Sequence, residues 1–279
     1  MKIIDAFMMS DELDLVEFRL EYLNPYVDYF FIVEAKHTHT GEEKPLYFTE
    51  AMEKGRFWEY NNKILIGYPN LSELRSSDFS SLTHDYDLID PKVRQRENKQ
   101  RNHFACFPIE LKDNDLILMS DVDEIPDGPF IKDTGVALIE NYVPFCLKQS
   151  FFYYSVNWLF KERASGTIGV SAQLLKETTP QTFRDKRESL ISFEKGWHFS
   201  YFGSPEKIQK KIQTFSHQEY NKEPYTNLDY IQYNINTGRD PFDRKTPAGS
   251  VYIPPAPSDV ELPSLLQTSR EKYQWMFQK

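Results

Sequence analysis

Four short, nearly continuous apolar runs govern what this chain can fold into: residues 2–9, 27–34 (VDYFFIVE), 63–67 and 116–120. Runs of this kind are the mark of strands covered on both faces, as in a parallel sheet whose crossovers lay helices on either side. The sequence between them supplies those helices. After the first run Ser10 is a candidate N-cap, Asp11, Glu12 and Asp14 load the first turn with acid, and Leu13, Val16, Leu20 and Leu23 form an apolar stripe. Residues 49–60 read as a second helix. Pro91 can open a third at its first position, with residues 92–107 leading through the Asp113-Asn114 turn into the fourth strand. The Ser- and Asp-rich loop from Asn70 to Asp90 is long enough to be functional. The expected fold class is α/β, a mostly parallel central sheet flanked by helices.

The second half is less regular. It holds an apolar run at 145–154, a Gly-bearing loop at 161–169, a candidate helix near 180–187 and a strand near 197–202. Pro254, Pro255, Pro257 and Pro263 then form a strap that introduces a final amphipathic helix over 264–277. Without repeats or low-complexity stretches, residues 1–279 are expected to form a single domain, with functional halves at 1–126 and 127–253 and the strap and helix at 254–279.

Charge and cysteine content exclude several classes. With 33 basic and 42 acidic residues the net charge is −9, so a nucleic-acid partner is not expected. Asp5 and Asp11 come too early for a signal peptide, and no stretch of 18 apolar residues suggests a membrane span. Cys106 and Cys146 provide neither a disulfide framework nor metal-ligand spacing, and a cytoplasmic protein with reduced thiols is expected. The 21 Phe, 17 Tyr and 4 Trp serve a core and can also stack on sugar faces.

The most informative segment is DLILMSDVDEIP, residues 115–126, in which an apolar strand delivers Asp121, Asp123 and Glu124 to its carboxyl end. Ligands of open α/β sheets bind there. In an extended chain Asp121 and Asp123 point the same way with Cα atoms roughly 6 to 7 Å apart. Two hard oxygen donors at that spacing suit one Mg2+ or Mn2+, which can carry a nucleotide diphosphate and neutralise it as it departs. Other readings stay open: a solvated capping turn, an aspartate-nucleophile or metal-dependent phosphohydrolase, and a non-catalytic carbohydrate-binding protein that uses the aromatic surface. A calcium loop fails, because Ile125 and Pro126 stand where a ligand and a glycine are needed.

The segments DELDLVEFRLEYL, VDYFFIVEAKHTHTGEEKPLYF, LILMSDVDEIP and GWHFSYFG together resemble glycosyltransferase family 17, in order along residues 3–277. Four matching blocks are more specific than a lone Asp-x-Asp. The resemblance implies a GT-A type nucleotide-diphospho-sugar transferase fold, with residues 1–126 as the nucleotide-binding half and 127–253 as the acceptor half. It implies an inverting enzyme that takes a sugar from UDP-GlcNAc with Mn2+ or Mg2+ and passes it to a glycan acceptor. Asp121-Val122-Asp123 is then the metal motif, Asp123 a direct ligand, and Asp121 a ligand or a contact to the ribose or a metal-bound water. His198 is the preferred histidine to complete the shell, with His217 as competitor. A lipid-linked acceptor would bring peripheral membrane association.

Two further groups complete the expected site. On the helix after Pro91, Arg94, Asn98, Arg101 and Asn102 share a face. Arg101 and Asn102 are the preferred contacts to the donor nucleotide, although such charge runs are also solvated surface. An inverting transfer needs a carboxylate base. Glu177, Asp185 and Glu188 are the candidates and Asp185 the first choice, although Arg184 and Lys186 beside it equally suit a surface ion pair. Tyr153, Tyr154, Asn157 and Trp158 could receive an acceptor sugar or simply pack.

Overall fold

A computed structural model describes residues 1–75 and 90–277. Residues 76–89, most of the expected functional loop, lie outside the described residues. The first half follows the apolar runs: β1 (Ile3–Met8), α1 (Leu13–Leu23), β2 (Tyr29–Val33), α2 (Tyr47–Glu53), β3 (Ile64–Gly67), α3 (Pro91–Asn102) and β4 (Leu116–Asp121). After the two-residue β5 (Glu124–Ile125) come the short helices α4 (Gly128–Phe130) and α5 (Val136–Glu140). These lead to β6 (Phe145–Tyr153), β7 (Leu159–Ser171), α6 (Ala172–Glu177), α7 (Pro180–Asp185), β8 (Ile191–Phe193) and β9 (Trp197–Ser200). Helices α8 (Pro205–Thr214), α9 (Leu228–Thr237) and α10 (Ser264–Thr268) complete the order.

One mixed sheet joins both halves, in the order β3-β2-β1-β4-β7-β6-β9-β5, with β8 alongside β6. Strands β3, β2, β1 and β4 are parallel, and β7 runs antiparallel to both β4 and β6. Strand β9 is parallel to β6 and antiparallel to β5. The apolar runs are continuous because both faces are covered. Phe7, Phe30, Ile32 and Leu118 meet Val16, Leu20 and Leu23 of α1 on one face, while Ile4, Ala6, Phe31, Ile117 and Met119 meet Phe104 and Ala172 on the other. Each of the larger apolar side chains contributes about 1.5–3 kcal/mol on burial.

Several local expectations change. Helix α1 begins at Leu13 with no side-chain cap, because Glu12 folds back and its carboxylate accepts the Ser10 and Asp11 N–H groups. Ser10 is therefore not the cap. The second helix stops at Glu53, where the chain turns through left-handed φ at Gly55 and Phe57. The Gly-bearing loop expected at 161–169 is strand instead. Its glycines mark close approach rather than a turn, since a Cβ on Gly169 would stand 2.2 Å from the Phe145 ring and one on Gly166 1.8 Å from Gln149 Oε1. The final helix is only one short turn, Ser264–Thr268, followed by a 3-10 turn at Gln274–Met276. The proline strap bonds to the sheet through Leu159 N–H to Pro254 O and Ala256 N–H to Asn157 O.

Candidate active site

Strand β4 runs parallel to β1 and ends at Asp121, opposite Met8. The next three residues turn sharply into β5, and a buried arginine holds that turn. Arg19 of α1, with its side chain 0% exposed, donates to both Asp5 carboxylate oxygens at 2.6 and 2.7 Å and to Ser120 Oγ at 2.6 Å. It also donates to the carbonyls of Asp121, Val122 and Glu124 at 2.9–3.2 Å. Burying a guanidinium is tolerable only when its charge and its donors are met, and here Asp5, equally buried in β1, meets the charge. The side chains of Asp121, Asp123 and Glu124 are thus aimed by an inner pair that never reaches the cavity.

Each of the three acids is then met by cations, Arg184 serving two of them. Glu124, buried, takes a two-pronged contact from Arg184 of α7, both distances 2.8 Å. Asp121 accepts from Arg101 at 3.1 Å through one oxygen and from Arg184 at 3.1 Å through the other. Asp123 accepts from Lys211 of α8 at 3.0 Å, and its other oxygen lies 3.5 Å from His198 Nε2. Burial alone would raise the Asp121 and Asp123 carboxyls. The Arg184 and Arg101 charges outweigh it at Asp121, and Lys211 and His198 outweigh it at Asp123, so both stay ionised below the ordinary carboxylate range. Glu97 is held well below that range in the same way, Arg101 and Arg94 overcoming its burial.

Asp121, Asp123, Glu97, Arg184, His198 and Lys211 face a cavity of roughly 320 Å³ at the carboxyl ends of β1, β2 and β4. One wall carries His39, Glu97 and Gln100; the other carries Phe151, Tyr153, His198, Tyr201 and Arg244. Gln100 bonds His39 Nε2 at 2.9 Å and reaches back to the carbonyls of Met9 and Val33. Burial lowers the His39 imidazole, which favours its neutral form. The His198 ring lies on Phe151 at 4.2 Å and 10°. Arg244 donates to Tyr153 Oη at 2.6 Å and to Asp240 at 3.1 Å.

The sequence model of Glycosyltransferase family 17 matches residues 1–278. The chain belongs to glycosyltransferase family 17. Among curated relatives it is 24% identical over 270 residues to the β-1,4-mannosyl-glycoprotein 4-β-N-acetylglucosaminyltransferases of Rattus norvegicus and Homo sapiens, covering 85% of this chain and 48% of each of those. It therefore spans about half the length of the curated relatives it matches. Among solved structures it has a distant likeness to mouse xyloside xylosyltransferase 1 in its apo form, at TM-score 0.34 and 9% identity, covering 70% of this chain and 78% of that one.

In this family 17 chain the residues singled out from the sequence separate into two groups. Asp121, Asp123 and His198 line the cavity, and His217 lies on its wall, its Nδ1 2.9 Å from Glu219. Asp121 lies beside Asp123 and His198, with one oxygen accepting from Arg101 and the other from Arg184. Among the described residues no three His, Cys, Asp or Glu side chains converge on a metal position. Arg101 reaches Asp121 but also bonds Glu97 and Gln181, behind the cavity wall. Asn102 instead receives the Gln181 N–H and ties α3 to α7, away from the expected nucleotide contact.

The expected bases are not brought to the cavity. Asp185 accepts from Arg94 at 3.3 Å and Gln181 at 2.8 Å, on the far side of the arginine layer, because α7 turns Arg184 inward and Asp185 toward α3. Glu177 and Glu188 are exposed and away from it. The carboxylates on the wall besides the Asp pair are Asp11, Glu12 and Glu97. Of the aromatic group only Tyr153 lines the cavity; Tyr154 bonds the Arg239 carbonyl, Asn157 bonds the strap and Trp158 packs over Gly238. Arg184 and Lys211 were not expected here. An inward Arg184 leaves no local signal, but Arg19 does: it is the one charge on the buried face of α1, and Asp5 the one charge within β1.

Among the described residues no helix is long and apolar enough to cross a membrane.

Proposed function

We propose that this family 17 chain transfers a sugar from a nucleotide-diphospho-sugar, UDP-GlcNAc, to a glycan hydroxyl with inversion, and that it does so with a divalent cation. The observation that carries the reading is the meeting of Asp123 and His198 at 3.5 Å in a cavity at the strand ends. The carboxylate oxygen, together with the diphosphate's own oxygens, supplies the hard donors that suit Mn2+ or Mg2+, and the imidazole nitrogen is the softer member of the set. The cavity wall carries five carboxylates (Asp11, Glu12, Glu97, Asp121, Asp123) against four fixed cations (Lys44, Arg184, Lys211, Arg244). A diphosphate entering alone would meet net negative charge, so an added cation is what makes the cavity hospitable to it.

The donor set fits such a cation in part: Asp123 and His198 would hold it, and the diphosphate would supply further oxygens. When bound it would neutralise charge developing on the departing diphosphate. The protein's own groups do the rest. Arg101 and Arg184 fix Asp121 so that its carboxylate stands beside the cation site rather than swinging into it. His39 and Gln100 offer a neutral hydrogen-bonding wall for the nucleoside. Phe151, Tyr153 and Tyr201 present ring faces for a sugar. GlcNAc as the sugar is supported by the curated relatives, which are N-acetylglucosaminyltransferases.

The test is a release assay with UDP-GlcNAc, UDP-Gal and GDP-mannose, each with Mn2+ and with EDTA. The reading expects UDP release chiefly from UDP-GlcNAc and at least about tenfold less in EDTA. Equal rates in EDTA would remove the cation from the account, and a preference for another donor would correct the sugar.

A further inference from the structure

Helix α8 shows two faces. Ile208 and Ile212 are buried beneath it, while Lys207, Lys210 and Lys211 ride over the acidic segment between β1 and α1. Lys207 pairs with Asp14 at 2.8 Å, Lys210 with Asp11 at 2.6 Å, and Lys211 lies 3.8 Å from Glu12. The first two are 60% and 47% exposed, and such solvated pairs hold little energy. Lys211 is different. Its side chain is 26% exposed, it lines the cavity, its ammonium lies 5.5 Å from the centre of the Tyr201 ring, and it reaches the Asp123 oxygen opposite to the one facing His198.

The same carboxylate is the one the cation reading requires, so the ammonium and a divalent cation would share one anionic partner. Two cations on one carboxylate repel unless further negative charge arrives. A diphosphate brings that charge. A diphosphate held through a cation on Asp123 would come within reach of Lys211, a flexible four-carbon side chain with three rotatable donors.

We propose that Lys211 is a catalytic residue of the donor site: it occupies Asp123 while the site is empty and moves onto the diphosphate when cation and donor enter. The inference rests on the transferase reading above. In the transfer the acceptor oxygen bonds to the anomeric carbon, and the bond from that carbon to the phosphate oxygen breaks. Its electron pair leaves on the diphosphate, and the hydroxyl proton passes to a carboxylate on the wall. Lys211 keeps its own proton and donates hydrogen bonds to the oxygens that gain charge. It thereby contributes differential binding of the departing group.

Calorimetry on the full chain, with Mn2+ alone, UDP with Mn2+, and uridine as probes, separates the outcomes. K211M, which keeps the apolar stem over Tyr201, is expected to bind Mn2+ alone at least about threefold more tightly, because its competitor at Asp123 is gone. It should bind UDP with Mn2+ about tenfold more weakly. Uridine affinity should be unchanged, and K211R should hold UDP within about threefold of wild type. Unchanged Mn2+ and UDP affinities in K211M would overturn the proposal, as would equal losses for uridine and UDP. Failure of the wild-type protein to bind UDP at all would instead sink the transferase reading.

Discussion

The turn from Asp121 to Glu124 is gripped from below and from above, and the two grips differ in kind. Below, Arg19 is fully buried, and its five N–H donors are met by Asp5, Ser120 and three carbonyls. Above, α8 lays Lys207 and Lys210 over acids that remain partly in water, and Lys211, itself partly exposed, over the buried Asp123. The lower contact fixes backbone; the upper one touches only side chains that can let go. A donor site needs both, a rigid frame that aims the carboxylates and a yielding cover that admits the ligand.

The strongest way to break this contrast is at Arg19. Arg19→Ala leaves Asp5 charged and buried and orphans three carbonyls, so urea denaturation should show a loss of about 3–5 kcal/mol. Asp5→Asn, which leaves the guanidinium unpaired, should be of similar size. A loss below about 1 kcal/mol in either would mean that the turn is held by something else.

A second prediction concerns pH. The Glu97 carboxyl is held well below its ordinary value of 4.5 in the folded protein. A depressed carboxylate contributes stability that is fully present above that ordinary value and is lost as pH falls through the depressed one. Glu97→Gln should therefore be less stable than wild type at neutral pH and show a shallower loss on acidification from about pH 4.5 downward. Parallel acid-denaturation curves would contradict the pairing with Arg94 and Arg101.

The smallest effects belong to the upper cover. Lys207→Ala and Lys210→Ala should each change stability by no more than about 1 kcal/mol, and that change should shrink as salt rises toward 1 M. A salt-independent loss of several kcal/mol would show that α8 is clamped rather than resting.

The same contrast explains what the sequence disclosed. The parallel strands were legible because burial on both faces of β1, β2 and β4 leaves a continuous apolar record. Asp121 and Asp123 were legible because β4 ends at them. The antiparallel half was harder: Gly166 and Gly169 suggest a loop, and only the side chains of Gln149 and Phe145 from the neighbouring strand show why strand β7 needs them. Lys211 could not be told from Lys207 and Lys210 by spacing, since all three share one helix face and only its depth over Asp123 distinguishes it. The direction of Asp185 was hidden for a similar reason: its neighbour Arg184 faces the cavity while Asp185 faces Arg94.

The central claim is that Asp123 and His198 hold a cation through which a nucleotide diphosphate is bound. It is tested most directly by titrating UDP calorimetrically into wild-type protein and Asp123→Asn, each with Mn2+ and with EDTA. The account predicts tight binding only for wild type with Mn2+, and a loss of roughly tenfold or more in each of the other three conditions. Equal UDP affinity in all four would contradict it.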